Sequence, residues 1–430
     1  MKGFVKILIT SLFIVALVAT AFPAGAAKYE GVKVKVLAQP LTFWEAMEPF
    51  IPEFEKETGI SVSITYYPEI ERRSKSRLDA STGTGAFQVY HVDEQNVPEF
   101  ANAGWLVPIK DYYPSEYDMD DFAPGYLDFL IWDEVVYGTP FRGGTDLLMY
   151  RKDLFEAENY PVPKTMEELM QAAKHFTRSP DLYGISLRGE RGAGMNCWLW
   201  QEYLANFGGK YFEDTTPVFN SPEGVATTEF YRELIQKYSP PGGVTYSWSA
   251  MLDSFMAGKV AMLTCDSDFM LWVENPEKST VVGKVGYAPF PAGPAGRVTN
   301  AWAHGVAVSK AGARSEKEKG AAALFIAWIT GKESEIRRVK AGEYLMIARM
   351  STLRSPEFAE QLEDYPDWIV AFREGLKAGR PLFPRIPEWS EIGDNLGIIL
   401  EELFVGTRTD IAASLDEAAG YAVKVLEKRR

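Results

Sequence analysis

The stretch that most constrains this chain is residues 137–155, YGTPFRGGTDLLMYRKDLF. Tyr137-Gly-Thr-Pro-Phe is apolar and extended, and the Pro140 ring biases Thr139 toward β or polyproline geometry. Gly143-Gly144 then supplies two residues without Cβ atoms and with few forbidden dihedrals, so the segment reads as a strand with a broken middle. Residues 147–150 are apolar again and too short to read as a helix. An extended chain running through so permissive a pair is what a hinge between two lobes needs. An ordinary strand, a Gly-Gly turn and a second strand is the competing reading.

The sequence before this stretch alternates in the manner of an α/β fold. Val32, Val34 and Val36 alternate with lysines, the pattern of a half-buried strand. Met47, Phe50, Ile51 and Phe54 follow at helical spacing with Gly59 as the stop, although Pro49 and Pro52 suit only a first turn. Residues 60–66, ISVSITY, alternate again, so the opening is strand–helix–strand. Beyond the glycine pair, Thr165 and Glu168 form a capping box for a helix, Pro222 opens another, and Ser315 with Glu318 caps a third. Ile392, Leu396, Ile399 and Leu403 make one apolar seam in a helical last hundred residues. The pattern is two α/β lobes, with no internal repeat.

The chain of 430 residues exceeds one ordinary domain, and its 46 % hydrophobic and 24 % charged residues are a globular balance. Lys2 and Lys6, the apolar run 7–22 and Ala24-Gly25-Ala26 compose an export signal, expected to be cleaved after Ala26. That removes two lysines and moves the formal charge from −14 to −16. An acidic mature chain is a poor partner for nucleic acid or anionic membrane. With no cysteine after the signal to carry a lipid, a soluble periplasmic or secreted product is expected. Cys197 and Cys265 are too few for a disulfide framework, and whether they pair is left open.

No phosphate-binding, nucleophile-elbow, zinc-protease or CxxC motif is present, and the glycine-rich GERGAG at 189–194 lacks the strand–helix context of a phosphate cradle. The three histidines, at 91, 175 and 304, are too scattered for a metal motif. No catalytic, metal-binding or cofactor residue is therefore assigned. Short clusters instead mix an aromatic with a charged or fork-shaped group: 43–45, 93–96, 142–146, 188–198, 266–269 and 302–304. A polyhydroxylated ligand uses such pairs, its C–H face on an aromatic and its hydroxyls on Arg, Asp and Asn. Core packing and solvated surface charge are the alternatives for each cluster.

The order of these segments resembles the family 1 extracellular solute-binding proteins of ABC importers, the maltose-binding-like group. The resemblance is carried by FEKETGI (54–60), YGTPF and LMYRKDLF within 137–155, FMAGKVAM (255–262), VGYAPFPAGP (285–294), KEKGAAALFIAWITGKE (317–333) and PRIPEWSEI (384–392). SLRGERGAGMN (186–196) and CDSDFM (265–270) are most similar to the sorbitol- and mannitol-binding polyol subgroup. The resemblance implies two α/β lobes joined by hinge strands, with the ligand in the cleft between them. It divides the chain into an N-lobe of 27–142 and 304–348 and a C-lobe of 143–303 and 349–430, after the signal at 1–26. It implies ligand-binding roles for Gln39 and Trp44 after the first strand, and for Asp93 and Gln95 after the third. Arg142 and Asp146 follow on the hinge strand, Arg188, Asn196 and Trp198 in the second lobe, and Trp302 and His304 at the second crossing.

Where many members carry Gly-x-Trp, this chain has Asp266-Ser267-Asp268, which suits hydroxyls better than ring stacking. Both aspartates are accordingly expected at the ligand, with Arg142, Arg188 or Arg191 as counter-charges; starting the next helix is their alternative use. The expected protein is a monomeric, non-enzymatic binding protein that delivers a small polyol or sugar to membrane permease subunits. The alternatives are a mono- or oligosaccharide binder of the same family and an exported hydrolase with a carboxylate pair.

Overall fold

The computed structural model describes residues 26–428 except Pro124, so the expected export signal lies outside the described residues but for its last residue. Strand β1 (Lys33–Ala38) exposes its lysines, buries its valines, and pairs in parallel with β2 (Ser61–Tyr66) and β3 (Val89–Asp93). The prolines between β1 and β2 are each met by a fresh start. Helix α1 (Thr42–Met47) gives way to a 3-10 turn holding Pro49, and α2 (Ile51–Thr58) carries Pro52 in its first turn. Gly59 ends α2 in the left-handed region at φ 69°. Helix α3 (Glu69–Thr82) then connects β2 to β3.

Residues Gly138–Arg151 form a single 14-residue strand, β4. The expected break at Gly143-Gly144 is absent, and neither glycine adopts a positive φ. Their missing side chains serve close approach instead. A Cβ on Gly143 would lie 2.4 Å from the Tyr126 ring, and one on Gly144 3.0 Å from Ser267 Oγ and the Trp302 ring.

The remaining strands of the main sheet are β5 (Tyr183–Ser186), β6 (Val260–Asp266), β7 (Val285–Pro289), β8 (Thr299–Val308) and β9 (Gly379–Arg380). The sheet runs β2-β1-β3-β8-β4-β6-β5, with β7 also on β4 and β9 on β8. Strands β4 and β8 pair antiparallel through both halves, with Arg142 opposite His304, Gly143 opposite Ala303, and a bulge after His304. The two boundaries expected near 142 and 303 therefore lie side by side. Farther along, Ala348 and Met350 remain bonded to the 121–123 segment, through Ala123 N to Ala348 O and Met350 N to Asp121 O, both 2.7 Å.

Each half buries both faces of its sheet, as parallel α/β layers require. In the first, Val34 and Val36 pack with Phe54 and with Phe325 of α8 (Glu316–Ile329), while Leu37 and Tyr90 pack with Phe100. In the second, Ile185 and Met262 face helices that include α4 (Met166–Phe176), α5 (Asn196–Asn206), α6 (Pro222–Lys237) and α10 (Trp389–Val405). The opposite face packs Leu147 and Leu263 on α7 (Trp248–Met256) and α9 (Pro366–Ala378). The capping boxes at Thr165/Glu168 and Ser315/Glu318 are both formed. Cys197 and Cys265 are free and buried.

Candidate ligand cleft

Strands β1, β3, β5 and β6 end toward a common cleft, the position where α/β sheets present loops to a ligand. The cleft is nearly shut in this conformation, with about 30 Å³ free, room for about two waters. Of the expected residues, Gln39, Arg142, Arg188, Trp198, Asp266 and His304 line it. They are joined by Leu41, Glu69, Arg73 and Gly194, and by an aromatic wall of Trp248, Phe269 and Trp272. The wall's rings lie 5.5–6.3 Å apart, centroid to centroid. An aromatic face is thus present although the Asp266-Ser267-Asp268 segment supplies none.

The charges are paired inside the protein. Arg188 bonds Asp266, and Arg142 Nη2 lies 3.0 Å from Asp268. Each guanidinium also covers an indole, Arg142 at 4.5 Å from the Trp302 ring centre and Arg188 at 5.7 Å from Trp198. Arg191 takes no part; it is exposed and reaches Glu401 at 3.5 Å. Burial, only partly opposed by Arg142 and reinforced by Asp266, pushes the Asp268 carboxyl up to about 7. On residues lining the cleft, Gln39 Oε1, Arg142 Nε, Arg188 Nε and Trp198 Nε1 are buried without a hydrogen-bond partner in the protein.

The other expected residues stand behind or beside the lining. Trp44 is fully buried against Phe43 and Phe141, an aromatic core cluster beneath the cleft. Trp302 is a shelf for Arg142. Asn196 opens α5 and ties its amide to Gly397 O at 2.8 Å. Asp93 accepts two bonds from Arg72, at 2.6 and 2.8 Å, and one from Arg73 Nε. These arginines overcome burial and hold its carboxyl well below the usual range. In the amide orientation that satisfies both partners, Gln95 accepts from Arg73 at 2.7 and 3.1 Å.

Asp146 is buried directly opposite Asp266 across the β4–β6 ladder. Like charges in that register repel. Burial first and Asp266 second push the Asp146 carboxyl up to about 8, and burial with Asp146 raises Glu202 well above its ordinary range. Asp146 and Glu202 are thus both held toward the protonated form behind the cleft, and Glu202 Oε1 accepts from Asn300 N at 3.1 Å.

His91 and His304 are both held neutral, chiefly by burial. Gln39 N donates to His91 Nδ1 at 3.4 Å, and His91 Nε2 stands 3.2 Å from His304 Nδ1. With both rings neutral, these contacts put the proton of His91 on Nε2 and that of His304 on Nε2. His304 then presents a donor rather than a metal ligand. Among the described residues the one group spaced for a metal is His91, Asp93 and His304. Its carboxylate is already taken by two arginines and its ring nitrogens by each other, which does not fit a cation.

Residues 45–336 match the model of the bacterial extracellular solute-binding protein family. The chain belongs to that family. Among relatives, the solute-binding protein is 25 % identical over 411 residues to an erythritol/L-threitol-binding protein of Mycolicibacterium smegmatis, covering 90 % of this chain and 84 % of that one. It is also similar to a solute-binding protein of Agrobacterium radiobacter K84 solved with ribitol, with a TM-score of 0.84 and 28 % identity over 92 % of this chain and 99 % of that one. An Agrobacterium vitis S4 relative solved with D-mannitol gives 0.81 and 26 %, covering 93 % and 98 %. These are two-lobed binding proteins of ABC transporters and not enzymes, so the reading of paired carboxylates as a hydrolase site is set aside. Among the described residues no helix is long and apolar enough to cross a membrane.

Glu69, Arg73, Gly194, Trp248 and Trp272 were not singled out from sequence. Glu69 and Arg73 sit in the charge-rich EIERRSKSR start of α3, which reads locally as a solvated face. The GERGAG loop carried the usable signal for Gly194, which serves approach to Arg73, while Gly189 lies against the Val244 backbone.

Proposed function

We propose that this solute-binding protein captures a small, uncharged polyol, of four to six carbons like the ligands named for its relatives, and passes it to an ABC permease. The observation that carries the reading is the pairing of charge: Arg142 with Asp268, Arg188 with Asp266, Arg73 with Glu69 and, together with Arg72, Asp93. A cleft with surplus arginines would favour an anion; one with surplus carboxylates, an amine. Here each cation has its own carboxylate, so the best complement is a neutral molecule rich in hydroxyls. Hydroxyls accept from guanidinium and His304 Nε2 and donate to Asp266 and Gln39, while the carbon chain lies on Trp248 and Trp272. Gln39, Arg142, Arg188, Trp198, Asp266 and His304 would touch the ligand; Asp93, Gln95, Asp146, Asp268 and Trp302 would hold those residues in place. Trp44 and Asn196 would support the cleft from the core.

The lobes would be 27–142 with 304–348 and 143–303 with 349–430, closing about the paired strands β4 and β8. The protein would be exported by residues 1–26, carry no lipid anchor, and act as a monomer without nucleic acid. Calorimetric titration with erythritol, ribitol, D-mannitol, D-mannose, maltose and D-mannonate tests the reading. Saturable heat with the polyols and none with mannonate is expected. Preference for mannonate would refute the charge-balance argument, and preference for the ring sugars would replace polyol by sugar.

A further inference from the structure

A second cavity, about 280 Å³, lies between the same two halves and shares Arg73 and Gly194 with the ligand cleft. One wall is the α3 stripe Ile70, Arg73, Ser74 and Arg77; the other is the α10 stripe Ser390, Asp394 and Ile398. Both stripes follow helical spacing, so each presents one face. The chamber is a built surface. Arg77 is bidentate to Glu99 at 2.7 and 2.9 Å, and Glu99 also accepts from Ser390 Oγ at 3.0 Å. Ile70 and Ile398 stay 44 % and 38 % exposed, an apolar strip between polar groups. Aliphatic and hydroxyl-binding groups side by side are what a further sugar unit would contact.

What separates the two chambers is one side chain against one backbone. A Cβ on Gly194 would lie 1.8 Å from Arg73 Nη1, so the guanidinium lies against the loop backbone with no room for a larger residue. The guanidinium is also held on its own lobe by Asp93, Gln95 and Glu69, the last at 2.5 Å.

We propose that Arg73 is the length-determining residue of this protein: seated on Gly194, it closes the ligand cleft to anything longer than one short polyol or one sugar. The outer chamber is the subsite a second sugar unit would enter once that side chain is shortened. This rests on the neutral-hydroxyl reading of the inner cleft, and the ladder below separates the two. Dissociation constants are measured for wild type and Arg73→Ala with ribitol, maltitol and maltotriitol, and with glucose, maltose and maltotriose as a parallel ladder. Asp93 keeps both bonds from Arg72 in this variant, so the fold persists.

Wild type is expected to bind the shortest member of its ladder at least a hundredfold more tightly than the longer ones. Arg73→Ala is expected to reduce that ratio at least tenfold, and adding Ser74→Trp, which fills the outer chamber, to restore it. Arg73→Lys, which retains the charge and lacks the planar fork, reads the same ratio should the alanine variant not fold. An unchanged ratio in a folded variant overturns the proposal, as does a wild type that binds maltotriitol or maltotriose as tightly as the short member. A wild type that answers only to the glucose ladder overturns the polyol reading, while the gate is still read from that ladder.

Discussion

Asp266→Asn separates the ligand role of the cleft carboxylate from its structural role. In wild type Asp266 accepts from Arg188, lines the cleft, and faces Asp146 across the ladder. A hydrogen bond to a charged acceptor contributes roughly 1.5–3 kcal/mol against about 0.5–1.5 for a neutral one. For one ligand hydroxyl the exchange costs ~1–1.5 kcal/mol, and for two about twice that. Polyol affinity should therefore fall at least tenfold, equivalent to ~1.4 kcal/mol.

Removing one partner of a buried ion pair ordinarily destabilises by about 3–5 kcal/mol. Asp146 changes that expectation. Its carboxyl is held up near 8 partly by Asp266, while Arg188 pulls it down. Without Asp266 it can ionise and serve Arg188, so the loss in urea denaturation at pH 7 should stay well below that range. The pH profile carries the same signature. A carboxyl raised in the native state keeps a proton that the unfolded chain releases, so stability falls as pH climbs from the ordinary 3.8 toward 8. That descent should flatten in Asp266→Asn, while the Asp146→Asn/Asp266→Asn double variant, which leaves Arg188 without either carboxylate, should show the full loss of about 3–5 kcal/mol. Wild-type polyol affinity in Asp266→Asn refutes the ligand role, and a full 3–5 kcal/mol loss with an unchanged pH slope refutes the compensation by Asp146.

Asp268→Asn should weaken polyol binding and also remove the part of the stability loss that falls between pH 4 and 7, since its carboxyl is held near 7; a thermal melt series that keeps the wild-type slope contradicts this. Gly143→Ala forces a methyl to 2.4 Å from the buried Tyr126 ring and should cost about 1–3 kcal/mol in urea denaturation; no loss would mean that Tyr126 moves aside. Small-angle scattering should show a smaller radius of gyration with saturating ligand than without, and an unchanged radius counts against a hinge at the β4–β8 crossing. Exported protein should start near Ala27 and fractionate as soluble; recovery mainly in a detergent phase would refute the absence of an anchor.

Local signals recovered much of this fold because the physics behind them is local. The β1 alternation, the Gly59 stop and the two capping boxes each concern residues within a few positions of one another. Residues at or just past strand ends, such as Arg188 and Asp266, were legible for a related reason: polar groups following apolar strands have few other uses. The glycine pair was misread because sequence shows a missing Cβ without showing what occupies the space. Turn, hinge and close packing against Tyr126 have the same local signature. Asp146 was equally ambiguous, since its register opposite Asp266 depends on a partner strand more than a hundred residues away. Arg73 could not be found at all. The charge-rich run of α3 reads as a solvated face, whereas Glu69, Arg72 and Asp79 are buried, and only the partners on other elements turn these charges inward.

The closed cleft also explains why ligand and closure belong together. Gln39 Oε1, Arg142 Nε, Arg188 Nε and Trp198 Nε1 have no partner within the protein in this conformation. A buried polar atom left unbonded costs about 1–3 kcal/mol, so each of the four that a ligand hydroxyl reaches would add roughly that much to binding. With so little free volume, a ligand would enter only as the cleft opens, parting Arg73 from Gly194 and the 3.4 Å bond from Asn96 Nδ2 to Ser390 Oγ. Reversing a two-state balance from 1:99 to 99:1 needs ~5.5 kcal/mol of differential affinity, which a few such hydroxyl bonds would supply.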